Sequence, residues 1–323
     1  MPLIVNKISK RFGNIWALRD VSFEAESGSI IGLFGASGSG KTTLLKTVAG
    51  LIKPNGGTIT LGSQDITATK AKDRGITYQS GHEEAGLKQL FGAFSPGESS
   101  GERQLNIFKE TMAHAGKVLL LDEPFSHMDS EMRSACFAAV RLAARQRDRV
   151  VIFASSDFDQ IIEFADEAAF LSGGEIAQSG TPQDIYENPA SVEAARMTGE
   201  ANLIEARRLT STDAELPEFH TIDGGHRIFA QNVEKKRLGP INQNMTLAIR
   251  PEQVSMSVGS SFPEDNLLRA VVTGITFRGP TSLIEFDAAG LKIQSRVFKV
   301  VGLKIGDECM LGLPPHRILI LKG

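Results

Sequence analysis

The chain has 323 residues, with 35 Lys and Arg against 38 Asp and Glu and a formal net charge of −3, a balance that excludes the basic footprint of a nucleic-acid binder. Two cysteines, Cys136 and Cys309, are too few for a disulfide framework and fit a reducing compartment. The length predicts two domains, or three, and the longest apolar runs, 118–121 and 150–154, fall far short of the ~20 residues of a membrane helix. The first seven residues carry no apolar signal-peptide core, so a soluble, intracellular chain is expected, unless a partner holds it at a membrane.

In chain order, residues 3–62 read as strands followed by a strand–loop–helix unit. Its strand is the buried-type run 30–34, then comes a glycine loop, then a helix over 42–49. Residues 74–180 alternate short apolar strands (76–78, 118–121, 150–154) with helical stretches, of which 130–147 is the longest. Strands alternating with helices predict a mostly parallel sheet. Residues 181–199 read as a helical linker. Beyond 201, short alternating runs at 247–249, 269–273, 282–286, 292–297 and 317–321 are separated by Gly, Pro, Asp and Asn, the pattern of a small all-β barrel or sandwich. The expected domains are therefore 1–198 and 199–323.

Gly35-Ala36-Ser37-Gly38-Ser39-Gly40-Lys41-Thr42 fits G-x-x-x-x-G-K-[ST] between a strand and a helix, the context this phosphate loop requires. Glycines let the backbone wrap a triphosphate with its N–H groups inward, and the helix N-terminus adds partial positive charge. Gly35, Ser37, Gly38 and Gly40, with Lys41, Thr42 and Thr43, are the candidate phosphate-binding set. Lys41 would reach the β- and γ-phosphates, and the Thr42 hydroxyl would be a ligand of Mg²⁺.

The run 118–121 ends in Asp122-Glu123-Pro124. A buried strand ending in two acids places both at the carboxyl edge of the sheet, where ligands bind in open α/β folds. Asp122 would hold Mg²⁺, directly or through water. Glu123 would be the general base, or the orienter, of an attacking water.

These motifs, with what lies between and after them, resemble the ATPase subunits of ATP-binding cassette (ABC) transporters over nearly the whole chain. The resemblance implies an α/β P-loop NTPase followed by a C-terminal all-β, OB-like barrel of the TOBE type. It implies that Phe12 stacks on adenine, with Trp16 as a nearby competitor, and that Gln79, in Ile76-Thr77-Tyr78-Gln79-Ser80, touches Mg²⁺ and the attacking water. The family signature L-S-G-G-Q has two candidates. Leu171-Ser172-Gly173-Gly174-Glu175 lies after the Asp-Glu strand, and its Gly-Gly reads as a hairpin turn. Ser99-Ser100-Gly101-Glu102-Arg103-Gln104 lies in the correct order, so Ser99 and Gly101 are expected to face the γ-phosphate bound by a second subunit. Phe125-Ser126-His127-Met128-Asp129 resembles the loop that crosses the dimer interface, with Asp129 its acidic residue. The segments 181–186, 199–203 and 249–252 resemble one importer branch, whose members energise uptake of sugars, polyamines, ferric iron, sulfate or phosphonates through separate membrane subunits and a solute-binding protein. ATP and Mg²⁺ are the implied cofactors. A peripheral position on the inner face of the cell membrane and a homodimer or heterodimer of cassettes are also implied.

The chain departs from the family in three places. Ser156 stands where a switch histidine is expected; a hydroxyl can donate to a phosphate but cannot carry charge or shuttle a proton as imidazole does. The signature has Ser100 for glycine and Glu102 for glutamine. About 20 positions separate Gln79 from Ser99, room for one helix near 82–91 where the family has a several-helix subdomain. The leading expectation is an ATP-hydrolysing importer subunit; the alternative is a slow or non-hydrolysing regulatory subunit paired with an active cassette. The β domain is expected to support a dimer. His220, His226 and the cluster Lys235-Lys236-Arg237 are expected to be solvated.

Overall fold

The computed structural model describes residues 1–81, 102, 105–106, 108–109, 111–112, 115–125, 128–146, 148–209, 216–231, 237–238, 240–257, 266–300 and 302–321. The helix expected near 82–91 lies outside them. Two compact units divide after Glu187: Met1–Glu187 and Asn188–Gly323.

The first unit holds two sheets. β1 (Leu3–Phe12), β2 (Ile15–Ala25), β4 (Gly56–Leu61) and β5 (Gln64–Asp65) form an antiparallel sheet in the order β2-β1-β4-β5. β3 (Ile30–Phe34), β6 (Ile76–Ser80), β7 (Val118–Asp122), β8 (Val150–Ser155), β9 (Glu167–Ser172) and β10 (Glu175–Gly180) form the second, in the order β10-β9-β3-β8-β7-β6. All its pairings are parallel except β9 with β10. Every residue of β3, β7 and β8 is buried, which is why these strands read as continuous apolar runs rather than alternating ones. Helices cover them: α1 (Lys41–Val48) follows β3, α2 (Ser130–Gln146) joins β7 to β8, α3 (Phe158–Phe164) joins β8 to β9, and α4 (Pro182–Glu187) ends the unit. Leu44, Leu45 and Val48 of α1 close one core with Leu3, Ile8 and Leu120. An aromatic cluster forms elsewhere: Phe137 stacks on Phe164 at 4.5 Å, and Phe125 meets Phe137 and Phe153 at 5.0 and 5.7 Å. The strand order reverses at β3, which lies between β9 and β8, so the carboxyl ends of β3, β7 and β8 meet at the switch point where such sheets bind ligands.

The linker region is not one helix. α4 stops before Asn188-Pro189, since proline cannot continue it, and α5 (Val192–Met197) starts anew with the Ser191 hydroxyl accepting from the Ala194 N–H. Ala195 packs with Ala248 and Leu321, and the buried Arg250 guanidinium donates to the Ala195 carbonyl at 3.0 Å and the Thr198 hydroxyl at 2.7 Å. α5 therefore belongs with the second unit.

That unit is two five-stranded sheets of antiparallel pairs. β11 (Asn202–Arg208), β12 (Glu218–Thr221), β13 (Arg227–Phe229), β14 (Asn244–Ile249) and β20 (Leu319–Leu321) run in the order β13-β12-β11-β14-β20. β15 (Ser255–Ser257), β16 (Asn266–Arg278), β17 (Thr281–Ala288), β18 (Leu291–Val297) and β19 (Glu308–Leu313) run in the order β15-β19-β16-β17-β18. One core, with Ile204, Phe219, Leu247, Phe286 and Leu311, joins both. The first eight residues of β16 alternate buried and exposed, the mark of a strand with one face on that core. The His226 ring, expected to be solvated, is half-buried, and its Nε2 donates to the Ala288 carbonyl at 2.8 Å. His220 is exposed, with Nε2 donating to the Gly225 carbonyl at 2.8 Å. Arg237 donates to the Pro189 carbonyl at 3.3 Å; Lys235 and Lys236 lie outside the described residues.

Candidate functional site

The loop after β3 turns on backbone conformations that side chains disfavour. Gly40, at φ 112°, is the N-cap of α1, and its carbonyl accepts from the Leu44 N–H at 2.8 Å. A Cβ there would lie 2.6 Å from the Ala17 carbonyl oxygen, and one on Gly35 would lie 2.1 Å from that of Leu171. Glycine is needed at both places for space as well as for torsion. The β9–β10 turn braces the loop from the side: Gly174 N–H donates to the Ser39 carbonyl at 3.2 Å, and the Gly174 carbonyl accepts from Arg19 N–H at 2.8 Å. Leu171-Ser172-Gly173-Gly174-Glu175 is thus a hairpin turn, with Ser172 paired to Glu175. Lys41 is buried, and its Nζ donates back to the Gly35 and Ala36 carbonyls at 2.7 and 3.2 Å. Burial lowers its pKa from the ordinary lysine value, opposed by the charges of Glu123 and Asp122.

Two strand ends supply the rest. Asp122, the last residue of β7, is buried; its Oδ2 accepts from the Tyr78 hydroxyl at 3.0 Å, whereas Oδ1 has no hydrogen-bond partner among the described residues. Glu123 follows in the left-handed region at φ 48°, its N–H bonded to the Ala154 carbonyl at 3.0 Å. A non-glycine residue held there by β8 is a strained placement of the kind found at functional sites. Ser156 follows β8 and is exposed; beside it the Ser155 hydroxyl accepts from Asp157 N–H, and Asp157 caps α3 through Asp159 N–H, both at 3.0 Å.

These pieces enclose a cleft of about 430 Å³. Ser37, Gly38, Gly40, Lys41, Thr42 and Thr43 line it from the loop and α1, Glu123 from the end of β7 and Ser156 from the end of β8. Gly35 is buried at the root of the loop. Ala17 also lines the cleft. Sequence reasoning missed it, because its contribution is place rather than chemistry: the register skips from Leu18–Lys10 to Trp16–Arg11, so Ala17 is the extra residue of a bulge in β2.

Other expected residues stand elsewhere. Gln79 pairs with Leu121, so its side chain alternates to the sheet face opposite Asp122. It is buried, and neither amide atom has a partner among the described residues. Phe12 is 50% exposed where the β1–β2 hairpin closes, opposite Ile15, with Lys10 Nζ 5.0 Å from its ring; Trp16 is 41% exposed with the Arg11 guanidinium 5.8 Å away. Asp129 is exposed and caps α2, its carboxylate accepting from the Met132 N–H at 2.8 Å. Ser99, Gly101, Ser126 and His127 lie outside the described residues; Glu102 is helical and exposed. Among the described residues no helix is long and apolar enough to cross a membrane, and no group of three His, Cys, Asp or Glu side chains could hold a metal ion.

Two family models match the chain: ABC transporter over residues 18–91 and TOBE domain over residues 247–321. The chain is 32% identical to the sulfate/thiosulfate import ATP-binding protein CysA of Synechocystis, over 70% of this chain and 74% of that one. It is 29% identical to the Fe(3+) ions import ATP-binding protein FbpC of Agrobacterium fabrum, over 84% and 85%. It is 30% identical to the FbpC of Brucella melitensis, over 77% and 78%. With the phosphate loop, the acidic pair and the second β unit in place, the chain belongs to the family of ABC transporter ATP-binding subunits, in the branch that carries a TOBE domain.

Proposed function

We propose that the cleft binds ATP and hydrolyses it to drive solute import by separate membrane subunits. The observation that carries this is the meeting, in one cleft, of Lys41 and Thr42 from α1 with Glu123 and Ser156 from two neighbouring strand ends. The loop N–H groups and Lys41 would bind the β- and γ-phosphates. Asp122 Oδ1 is a buried polar atom without a partner among the described residues, which fits a group that awaits a cation and its waters. One carboxylate with a hydroxyl suits Mg²⁺, which keeps several waters and takes its other ligands from substrate phosphates. Thr42 and Asp122 would hold that ion, whose charge when bound would neutralise the phosphate oxygens.

Glu123 would orient a water in line with the γ-phosphorus and accept its proton as the oxygen–phosphorus bond forms and the bond to the β-phosphate oxygen breaks. The Ser156 hydroxyl would donate to the γ-phosphate. Phe12 would stack on the base. A second cassette would close the site, with Ser99 and Gly101 of one copy facing the nucleotide of the other and Asp129 at the interface between them. The chain would work on the inner face of the cell membrane beside permease subunits and, indirectly, a solute-binding protein. Sulfate, thiosulfate and ferric iron, the solutes in the relatives' names, are the first to assay.

Light scattering tests the sandwich. Glu123→Gln should bind ATP without consuming it and double the chain mass, whereas Lys41→Ala should stay a monomer. A Glu123→Gln chain that remains monomeric at saturating ATP would overturn the homodimer.

A further inference from the structure

Tyr78 touches the site and has no part in the mechanism above. It lies on β6 one position before Gln79, paired with Leu120 of β7, while Ser80 pairs with Asp122. Side chains alternate along a strand, so Tyr78 and Asp122 share a sheet face. On that face the Tyr78 ring is half-buried against the core that α1 closes, with Lys46 Nζ 5.9 Å from its centre. The ring is therefore packed, and its hydroxyl reaches Asp122 Oδ2 at 3.0 Å.

The two oxygens of Asp122 are consequently unlike. Oδ2 is held by a phenol from the neighbouring strand, and Oδ1 is buried with no partner among the described residues. A carboxylate turns readily about its terminal torsion, which is broad and two-fold, so nothing intrinsic to aspartate selects which oxygen faces the cleft. A fixed donor on one oxygen removes that freedom. We infer that Tyr78 is a positioning residue, which anchors Asp122 by Oδ2 and leaves Oδ1 to take the cation of the nucleotide site. The inference rests on the assignment of Asp122 to Mg²⁺ made above. Hydrogen-bonded partners of ligating carboxylates commonly fix ligand orientation, and their loss weakens metal binding. Phenylalanine at 78 would keep the packed ring and remove only the donor.

The test uses the full chain with a non-hydrolysable ATP analogue and Mn²⁺ in place of Mg²⁺, with free Mn²⁺ read by electron paramagnetic resonance. Tyr78→Phe should weaken Mn²⁺ binding about tenfold, while analogue affinity in EDTA stays at the wild-type value, which also shows that the cleft is folded. In an Asp122→Asn background, Tyr78→Phe should cause no further loss. Unchanged Mn²⁺ affinity in Tyr78→Phe would overturn the inference, as would an equal loss added to that of Asp122→Asn. Wild-type Mn²⁺ binding by Asp122→Asn alone would instead remove the assignment of the cation to Asp122, and the role of Tyr78 with it.

Discussion

Arg74 ties the C-terminal end of α1 to the segment 67–69, and its removal should cost the first unit more than any ordinary surface charge would. The side chain is 5% exposed. Its guanidinium donates to the Thr47 and Val48 carbonyls at the end of α1, at 3.1 and 2.8 Å, and to those of Thr67 and Thr69 at 2.8 and 2.9 Å. Burial lowers its pKa and Asp65 opposes this, but a guanidinium stays charged at any physiological pH. Arg74→Met keeps the aliphatic stem and strands these acceptors. Thr47 retains the Gly50 N–H at 3.1 Å. The other three lose charge-assisted bonds, each worth about 1.5–3 kcal/mol, offset by relief from burying the cation. A net loss of about 3 kcal/mol follows, and at 2–4 °C per kcal/mol for a unit of this size the melting temperature should fall about 6–12 °C. Fluorescence of Trp16, the chain's one tryptophan, follows this unit. ATP affinity below the transition should stay near wild type, because Arg74 holds the far end of α1 from the loop. A shift under about 2 °C would show instead that desolvation of the guanidinium offsets its bonds entirely.

Phe12→Ala should weaken nucleotide binding about tenfold, the worth of one base–aromatic stack, with Trp16→Ala near neutral; fluorescent-nucleotide titration that reverses this order would make Trp16 the base platform. Ser156→His should raise ATP turnover at least about tenfold near neutral pH and add an acid limb near pH ~6.5 that the wild type lacks; a pH–rate profile unchanged by the substitution would contradict the site's geometry. In the second unit, burial pushes the Glu200 pKa up, but hydrogen bonds from Arg296 and Arg278 outweigh it, leaving it below 4.5. A depressed pKa in the folded state gives stability that is present above pH 4.5 and lost as pH falls through the folded value. Glu200→Gln should therefore flatten the acid side of that unit's urea-stability profile; equal acid slopes in both proteins would show that the pair of arginines contributes nothing.

The phosphate loop and the acidic pair were legible because their chemistry is local: eight consecutive residues and one strand end carry it. The parallel sheet was legible because β3, β7 and β8 are buried on both faces and so apolar throughout. What stayed hidden depends on register and on partners distant in sequence. Ala17 reaches the cleft only through a bulge in β2, and Tyr78 meets Asp122 only through the pairing of β6 with β7. Arg74 carries no local signal, because its acceptors, at the C-terminal end of α1 and in the segment 67–69, are assembled by the fold. His226 looked solvated in a turn-rich stretch, yet its acceptor, Ala288, lies on β17. The place of α5 follows from Ala195 packing on Ala248 and Leu321, which linker composition does not encode.

This chain should hydrolyse Mg-ATP through Glu123, in a cleft with serine at the switch position. Phosphate release by the purified chain, set beside Glu123→Gln at equal ATP occupancy, tests it most directly. Turnover should be measurable and should fall at least about hundredfold in Glu123→Gln while ATP binding persists. Tight ATP binding with no turnover, or turnover indifferent to Glu123, would contradict it.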